Sequence, residues 1–312
     1  VAILREQHAE RREPLPARAM VGRAPGCDLV LARKSISGHH AVIQWTGSHW
    51  EVMDLGSRNG TSVDGKRLGV GERAAVVVGA VLRFGRDAAP WQVEDDGPPR
   101  LMAKRIDSGE LVLGEGSYLV LPSVERPELG VFQDEHGRWC IDAGDGVSTT
   151  EDRAVLTTAG GAAWRLHLPT SGDQTVNETG GVLMVTGLRL RFAVSLDEEH
   201  VEAVAIAAGR SFDLKARSHH YPLLVLARRR LADRAAGAPS AEEGWVRQDE
   251  LIRMLRVDDN NLNICIHRAR TQLSKLGMVD AAALVERRSG ARLLRIGVSE
   301  LEVVTLGAPT SG

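Results

Sequence analysis

Between residues 22 and 61 the chain carries three short islands suited to holding an anion: Gly22-Arg23, Ser37 to His40, and Ser57-Arg58-Asn59-Gly60-Thr61. A phosphate dianion needs a charged fork and neutral donors converging from separate loops, and Arg23, Ser37 and Arg58 supply guanidinium and hydroxyl donors of that kind. Charge alone would bind any anion. Asn59 adds an amide that both donates and accepts, so it can grip the backbone of an extended peptide and fix its register beside the phosphate. Gly60 permits the turn that presents it. Taken singly, Asn59-Gly60 reads equally well as a hairpin turn and Arg23 as a solvated charge. The order and spacing of the whole set point to a site.

A second group of candidates lies near the other end. Leu262, Ile266, Ala269, Leu273 and Leu276 recur at i, i+4, i+7, i+11 and i+14, the apolar stripe of a helix docking on a core. The remaining faces carry Asn263, His267, Arg268, Arg270, Thr271, Ser274 and Lys275. Arg and Asn can pair with guanine and adenine edges in a major groove, and Arg, Lys and Thr also bind phosphates. A basic hairpin follows, with Arg287, Arg288 and Arg292 around the turn Ser289-Gly290.

The elements that must position these groups fall into three stretches. From Ala19 to Val93 short strands alternate with Gly, Asp and Ser turns, the pattern of an antiparallel sandwich with Trp50 and Phe84 facing inward. A charged, then Gly-Pro-rich linker is expected over Glu94 to Pro99. Residues 101 to 195 again read as strands, and Val131 to Asp142 echoes Ala41 to Asp54. The echo leaves two readings open: a decayed copy of the first sandwich without its anion-binding residues, or an unrelated β-domain. From Val201 the pattern becomes a strand pair, a helix capped by Ser218, a short helix over Asp249 to Leu255, the amphipathic helix capped by Asp258 or Asp259, and the hairpin.

The islands of residues 22 to 61 resemble the forkhead-associated (FHA) domain. That resemblance implies that Arg23, Ser37 and Arg58 contact phosphate, that Asn59 holds the peptide main chain, and that His40 braces the loop from beneath. FHA domains often carry a basic or amide residue after the Ser, where this chain has Gly38. Residues 200 to 297 resemble the OmpR/PhoB-type winged helix-turn-helix. The likeness implies base contact by Arg268 beside Asn263. It also assigns phosphate contact to His267, Arg270 and Lys275, and the wing to Arg287, Arg288 and Arg292; Thr271 is a further DNA-binding candidate by its residue type. The expected fold is multidomain: an all-β FHA sandwich over 1–97, an all-β middle domain over 98–196 that is a candidate degenerate FHA copy, an α+β winged helix over 197–300, and a tail over 301–312.

At 312 residues the chain exceeds one ordinary core. Its formal charge of −2 hides an asymmetry: residues 1 to 200 hold 22 Lys and Arg against 28 Asp and Glu, whereas 201 to 312 hold 17 against 13. The basic C-terminal third fits a nucleic-acid partner. Three scattered cysteines, Cys27, Cys140 and Cys265, suggest neither a disulfide framework nor a zinc site. No dinucleotide fingerprint, Walker A, His-Glu-x-x-His or Gly-x-Ser-x-Gly sequence occurs, so neither an enzyme, a cofactor nor a metal is expected. Asn177-Glu178-Thr179 is a chance glycosylation match in a chain without a visible secretion signal. The function expected is that of a bacterial, cytoplasmic transcription regulator downstream of a Ser/Thr kinase. Its expected partners are a phosphothreonine protein (the kinase or a second copy of this chain among the candidates), double-stranded DNA and RNA polymerase, with a homodimer as a candidate state and no membrane. A signalling adaptor that recruits phosphorylated proteins without binding DNA is the alternative.

Overall fold

The computed structural model describes residues 1–306 except 8, 10, 87, 88, 135, 145 and 170–182, and the side chain of Ser289. The glycosylation match therefore lies outside the described residues. The chain divides into two compact units. One is built on Val1–Met102 with the stretch that begins at His167, the other on Ala103–Leu166 with the described part of 176–312.

The first unit is a sandwich of eleven strands: β1 (Ile3–Glu6), β2 (Arg12–Pro14), β3 (Arg18–Gly22), β4 (Leu29–Val30), β5 (Ala41–Trp45), β6 (Trp50–Asp54), β7 (Thr61–Val63), β8 (Lys66–Arg67), β9 (Arg73–Val76), β10 (Val81–Phe84) and β11 (Trp91–Asp95). They form sheets of order β2-β1-β11-β10-β7-β8 and β4-β3-β5-β6-β9. Alternation puts Ala41, Ile43, Trp50 and Val52 on one face, where they share a core with Phe84 and Trp91. Trp50 and Phe84 are fully buried, as the pattern predicted. The Trp50 indole N–H donates to Gly97 O at 3.0 Å, and β11 runs to Asp95, so the linker is shorter than the sequence suggested.

The second unit opens on β12 (Met102–Arg105), β13 (Leu111–Leu113), β14 (Tyr118–Pro122), β15 (Pro127–Gln133), β16 (Trp139–Asp142), β17 (Val147–Thr149), β18 (Val155–Thr157) and β19 (Ala163–His167). Their sheets are β13-β12-β19-β18 and β14-β15-β16-β17. This is the strand order of the first sandwich with β4, β7 and β8 left out: β13-β12-β19-β18 repeats β2-β1-β11-β10, and β14-β15-β16-β17 repeats β3-β5-β6-β9.

The rest comprises β20 (Arg189–Val194), β21 (Val201–Ala207), β22 (Arg210–Ala216), α1 (His220–Ala235), β23 (Val246–Arg247), α2 (Gln248–Leu255), α3 (Asp259–Lys275), β24 (Val285–Arg288), β25 (Leu293–Ile296) and β26 (Glu300–Thr305). Sheet β22-β21-β20-β26 and the three-stranded β23-β25-β24 enclose a core with the helices, in which Phe192, Leu226, Leu251, Leu262 and Ile266 meet. Two boundaries are corrected. Strand β20, placed before residue 197 with the middle domain, pairs along its length with β21 and in parallel with β26. The expected tail from 301 is thus largely a strand, because Leu301 and Val303 pack on that core. Ser218 does not cap α1, whose N-cap position is His219; Asp258 does cap α3, accepting from Asn261 N–H at 2.7 Å. Among the described residues no helix is long and apolar enough to cross a bilayer.

Candidate functional site

The β3–β4, β4–β5 and β6–β7 loops bring Arg23, Ser37, Arg58 and Asn59 together. Arg23 N–H donates to Ser37 O at 2.9 Å and its Nε reaches Ile36 O at 3.2 Å, so the Arg23 loop is stitched to the Ser37 loop. Ser37 Oγ accepts the Arg58 backbone N–H at 3.2 Å, and the Asn59 amide donates to Ser35 O at 2.7 Å. The Arg23 and Arg58 side chains are exposed while Ser37 and Asn59 are half-buried. Two exposed arginine side chains are thus carried by the same stitched loops as a half-buried hydroxyl and amide, a set of groups able to take a doubly charged oxyanion and a strand of backbone beside it.

Beneath these groups lies a frame of buried polar contacts. His40 is fully buried; its Nδ1 accepts the Ser37 N–H at 3.2 Å, which leaves Nε2–H to donate to Gly60 O at 3.1 Å. Burial lowers its pKa and keeps the ring neutral, which this pair of bonds requires. Asp54, at the end of β6, holds the other loop. Its Oδ1 accepts the N–H groups of Gly56 and Ser57 at 2.9 and 2.8 Å, and its Oδ2 accepts the hydroxyls of Ser57 and Thr61 at 2.7 and 2.6 Å. Burial pushes the Asp54 carboxyl up, but hydrogen bonds from Thr61, Ser57 and Gly56 outweigh it and leave it below the ordinary range. Gly22 allows the close approach of two loops, since a Cβ there would strike the Gly38 carbonyl oxygen. Neither Asp54 nor the Gly22–Gly38 contact figured among the sequence candidates. Asp54-x-Gly56-Ser57, an Asx-turn pattern, was the signal available.

The basic helix is a different matter. Most of the residues assigned to DNA from the sequence do not face solvent. His267 and Arg270 are buried, as is Thr271, whose hydroxyl finds no hydrogen-bond partner among the described residues. Burial, with the nearby Arg270 charge, holds His267 down at about 3, so it is no cation for a phosphate. Arg270 and Arg287 donate to Asp142 Oδ2 at 2.6 and 3.2 Å, and Arg287 also donates to Asn263 Oδ1 at 2.8 Å. Lys275 pairs with Glu115 at 3.4 Å. Lys275 keeps its side chain exposed, whereas strands β14 to β16 cover the side of α3 that carries His267 and Arg270, and Arg287 of β24 reaches the same Asp142. Arg268 stays half-buried, while Arg288 and Arg292 are exposed. Arg288 lies over the Trp245 ring at 4.1 Å and Arg292 pairs with Asp259 at 3.2 Å.

Among the described residues no group of His, Cys, Asp or Glu is arranged to hold a metal ion. Comparison with known proteins bears on the first unit. The FHA domain model matches residues 19–85. The chain is 41% identical over 69 residues to the FHA domain-containing protein FhaB of Mycobacterium tuberculosis, covering 22% of this chain and 43% of that one. It is 41% identical over 69 residues to the transcriptional regulatory protein EmbR of Mycobacterium bovis, covering 22% of this chain and 18% of EmbR. A solved structure of Mycobacterium tuberculosis EmbR with a low-affinity phosphopeptide is matched at 30% identity and a TM-score of 0.29, over 31% of this chain and 24% of that one. The chain spans under half the length of these curated relatives. FHA domains bind phosphothreonine peptides, and residues 19–85 of this chain, with Arg23, Ser37, Arg58 and Asn59 on three adjoining loops, are an FHA domain.

Proposed function

We propose that this chain is a bacterial, cytoplasmic, non-enzymatic regulator of transcription, in which the FHA domain reads phosphothreonine laid down by a Ser/Thr kinase and a C-terminal winged helix binds promoter DNA. The observation that carries the reading is that Arg23, Ser37, Arg58 and Asn59 lie on three loops hydrogen-bonded to one another, with both arginine side chains exposed. The order β20 to β22, three helices and the basic β24–β25 hairpin supports the winged helix, and the likeness of the FHA segment to part of a regulator supports the transcriptional role. On the same reading the eight-stranded middle sandwich is an FHA copy that has lost its peptide-reading loops.

The test is retention of a phosphothreonine peptide library by the full chain. Arg23→Ala is expected to abolish retention while the domain still melts cooperatively, lowered only by the loss of the bond to Ile36 O, and a library without phosphate is expected not to bind. Undiminished retention by Arg23→Ala removes that residue from the site.

The adaptor reading, with no DNA partner, draws on the coverage of α3 by β14 to β16. Salt separates the two: DNA held through several phosphates loses about a thousandfold or more in affinity between 50 and 200 mM salt.

A further inference from the structure

Helix α3 buries two stripes, not one. Leu262, Ile266, Ala269 and Leu273 face the core of their own domain. One residue on at each step, Asn263, His267, Arg270 and Ser274 face the eight-stranded sandwich. Tyr118 Oη meets His267 Nδ1 at 2.7 Å and accepts from Arg270 Nη1 at 3.2 Å. Ser117 N–H donates to Ser274 Oγ at 2.9 Å, and Ser117 Oγ donates to Met278 O at 3.1 Å. At the centre Asp142, whose side chain is fully buried, takes Arg270 and Arg287 together, and Arg287 adds a bond to Gly144 O at 2.9 Å. A small apolar patch of Tyr118, Val120, Phe132 and Cys140 closes over Ala282.

Two features of this contact stand out physically. First, one carboxylate held by two guanidiniums has the donors and charge of one DNA phosphate held by the same two side chains, so Asp142 occupies what a duplex would need. Second, most of the contact is polar. Breaking a buried ion pair is costly when a charge is left stranded, but here opening returns both arginines to water or to phosphate, so the contact is specific without being permanent. The sandwich is shaped for it. Asp54 of β6 lies on the same face as Trp50 and Val52, whereas Asp142 of β16 shares its face with Cys140 and turns outward to α3.

Resting on the winged-helix reading above, we propose that the eight-stranded sandwich is a built-in competitor for DNA, holding α3 and β24 closed with Asp142 in the place of a backbone phosphate. Docking and duplex binding exclude one another. The affinity measured for DNA is then the intrinsic affinity reduced by the fraction of molecules in which α3 is free.

The test uses the full chain and a mixed-sequence duplex of about 30 base pairs at about 50 mM salt, followed by fluorescence anisotropy. Asp142→Ser is expected to bind about tenfold or more tightly than the parent, since it removes the anchor only from the docked state. The pair Ser117→Cys with Ser274→Cys, whose parent hydroxyls lie 3.4 Å apart, is expected to lose binding when oxidised and recover it on reduction. Equal affinity of parent, Asp142→Ser and oxidised pair overturns the proposal and leaves DNA binding standing. No binding by any of them, with faster hydrogen exchange over residues 263–275 in Asp142→Ser, overturns the DNA reading and this proposal with it. If Asp142→Ser does not fold, the oxidised and reduced pair decides alone.

Discussion

The Asp54 carboxylate bonds to none of Arg23, Ser37, Arg58 and Asn59, yet it governs the loop that carries the last two. Its carboxylate accepts four hydrogen bonds at 2.6 to 2.9 Å and is 2% exposed. A bond to a charged group contributes about 1.5 to 3 kcal/mol, and bonds sharing one acceptor are less than additive. Asp54→Ala, which leaves two amides and two hydroxyls short, is therefore expected to cost about 3 to 5 kcal/mol. Asp54→Asn is a finer cut. Its carbonyl oxygen keeps both amides, its NH2 faces the Ser57 and Thr61 hydroxyls, and these rotate to accept, so the loss is about 1 to 2 kcal/mol. Hydrogen exchange at Gly56 and Ser57 reads the difference: an acceleration of about two to three orders of magnitude or more for Asp54→Ala and about tenfold for Asp54→Asn. Phosphothreonine-peptide retention is expected to fall in the same order. Equal exchange in parent and Asp54→Ala would refute the reasoning, because the loop would then hold its shape without the carboxylate.

Three more expectations follow from the second unit. His267 and His220 are held at about 3 and about 4, chiefly by burial, with Tyr118, Arg270, Asp142 and Arg287 facing the first and His219 and Gln272 the second. A histidine kept neutral binds fewer protons folded than unfolded, so its contribution is complete above about pH 6.5 and is lost as pH falls, about 2 kcal/mol each by pH 5; melts at pH 7 and 5 check this, and a flat profile contradicts it. Arg268→Ala, in the one basic residue of α3 that is neither docked nor paired with a carboxylate, is expected to relax preference at one base position by about 1 to 3 kcal/mol in a binding-site selection; an equal loss across sequences assigns it to phosphates. Gly130→Ala places a Cβ against Tyr118 Oη and 2.9 Å from His267 Cε1, so it is expected to push α3 off the sandwich without altering any charge; unchanged exchange over residues 263–275 counts against that.

The FHA site was legible because it is written in local grammar. Ser37 to His40 and Ser57 to Thr61 are compact loops with internal bonds from Ser37 N–H to His40 and from Gly60 N–H to Ser57, their bonds to each other span only 20 to 24 residues, and Trp50 and Phe84 announce their faces by alternation. Even so, the hub Asp54 was missed, since an Asx turn looks the same whether or not a site rests on it. The edges of the C-terminal domain were misjudged for a different reason. The partner of β20 on one side is β26, more than a hundred residues away, and parallel pairing at that distance leaves no mark in either segment.

The basic helix shows where side-chain chemistry stops being informative. An apolar stripe identifies the buried face of a helix only when the covering surface is apolar. The second stripe of α3 is covered by a carboxylate, a phenol and hydroxyls, and what suits those is Arg, His, Asn and Ser. These are also the residue types that suit a DNA backbone, because Asp142 and a phosphate ask for the same donors. A sequence that binds a duplex and one that binds its own acidic sandwich are therefore written alike along positions 263, 267, 270 and 274. Only the position of Asp142, a hundred and twenty-eight residues before Arg270, separates the two. If both partners use one stripe in turn, its charge pattern answers to two surfaces at once, and a substitution such as Arg270→Ala should weaken the closed state and DNA binding together.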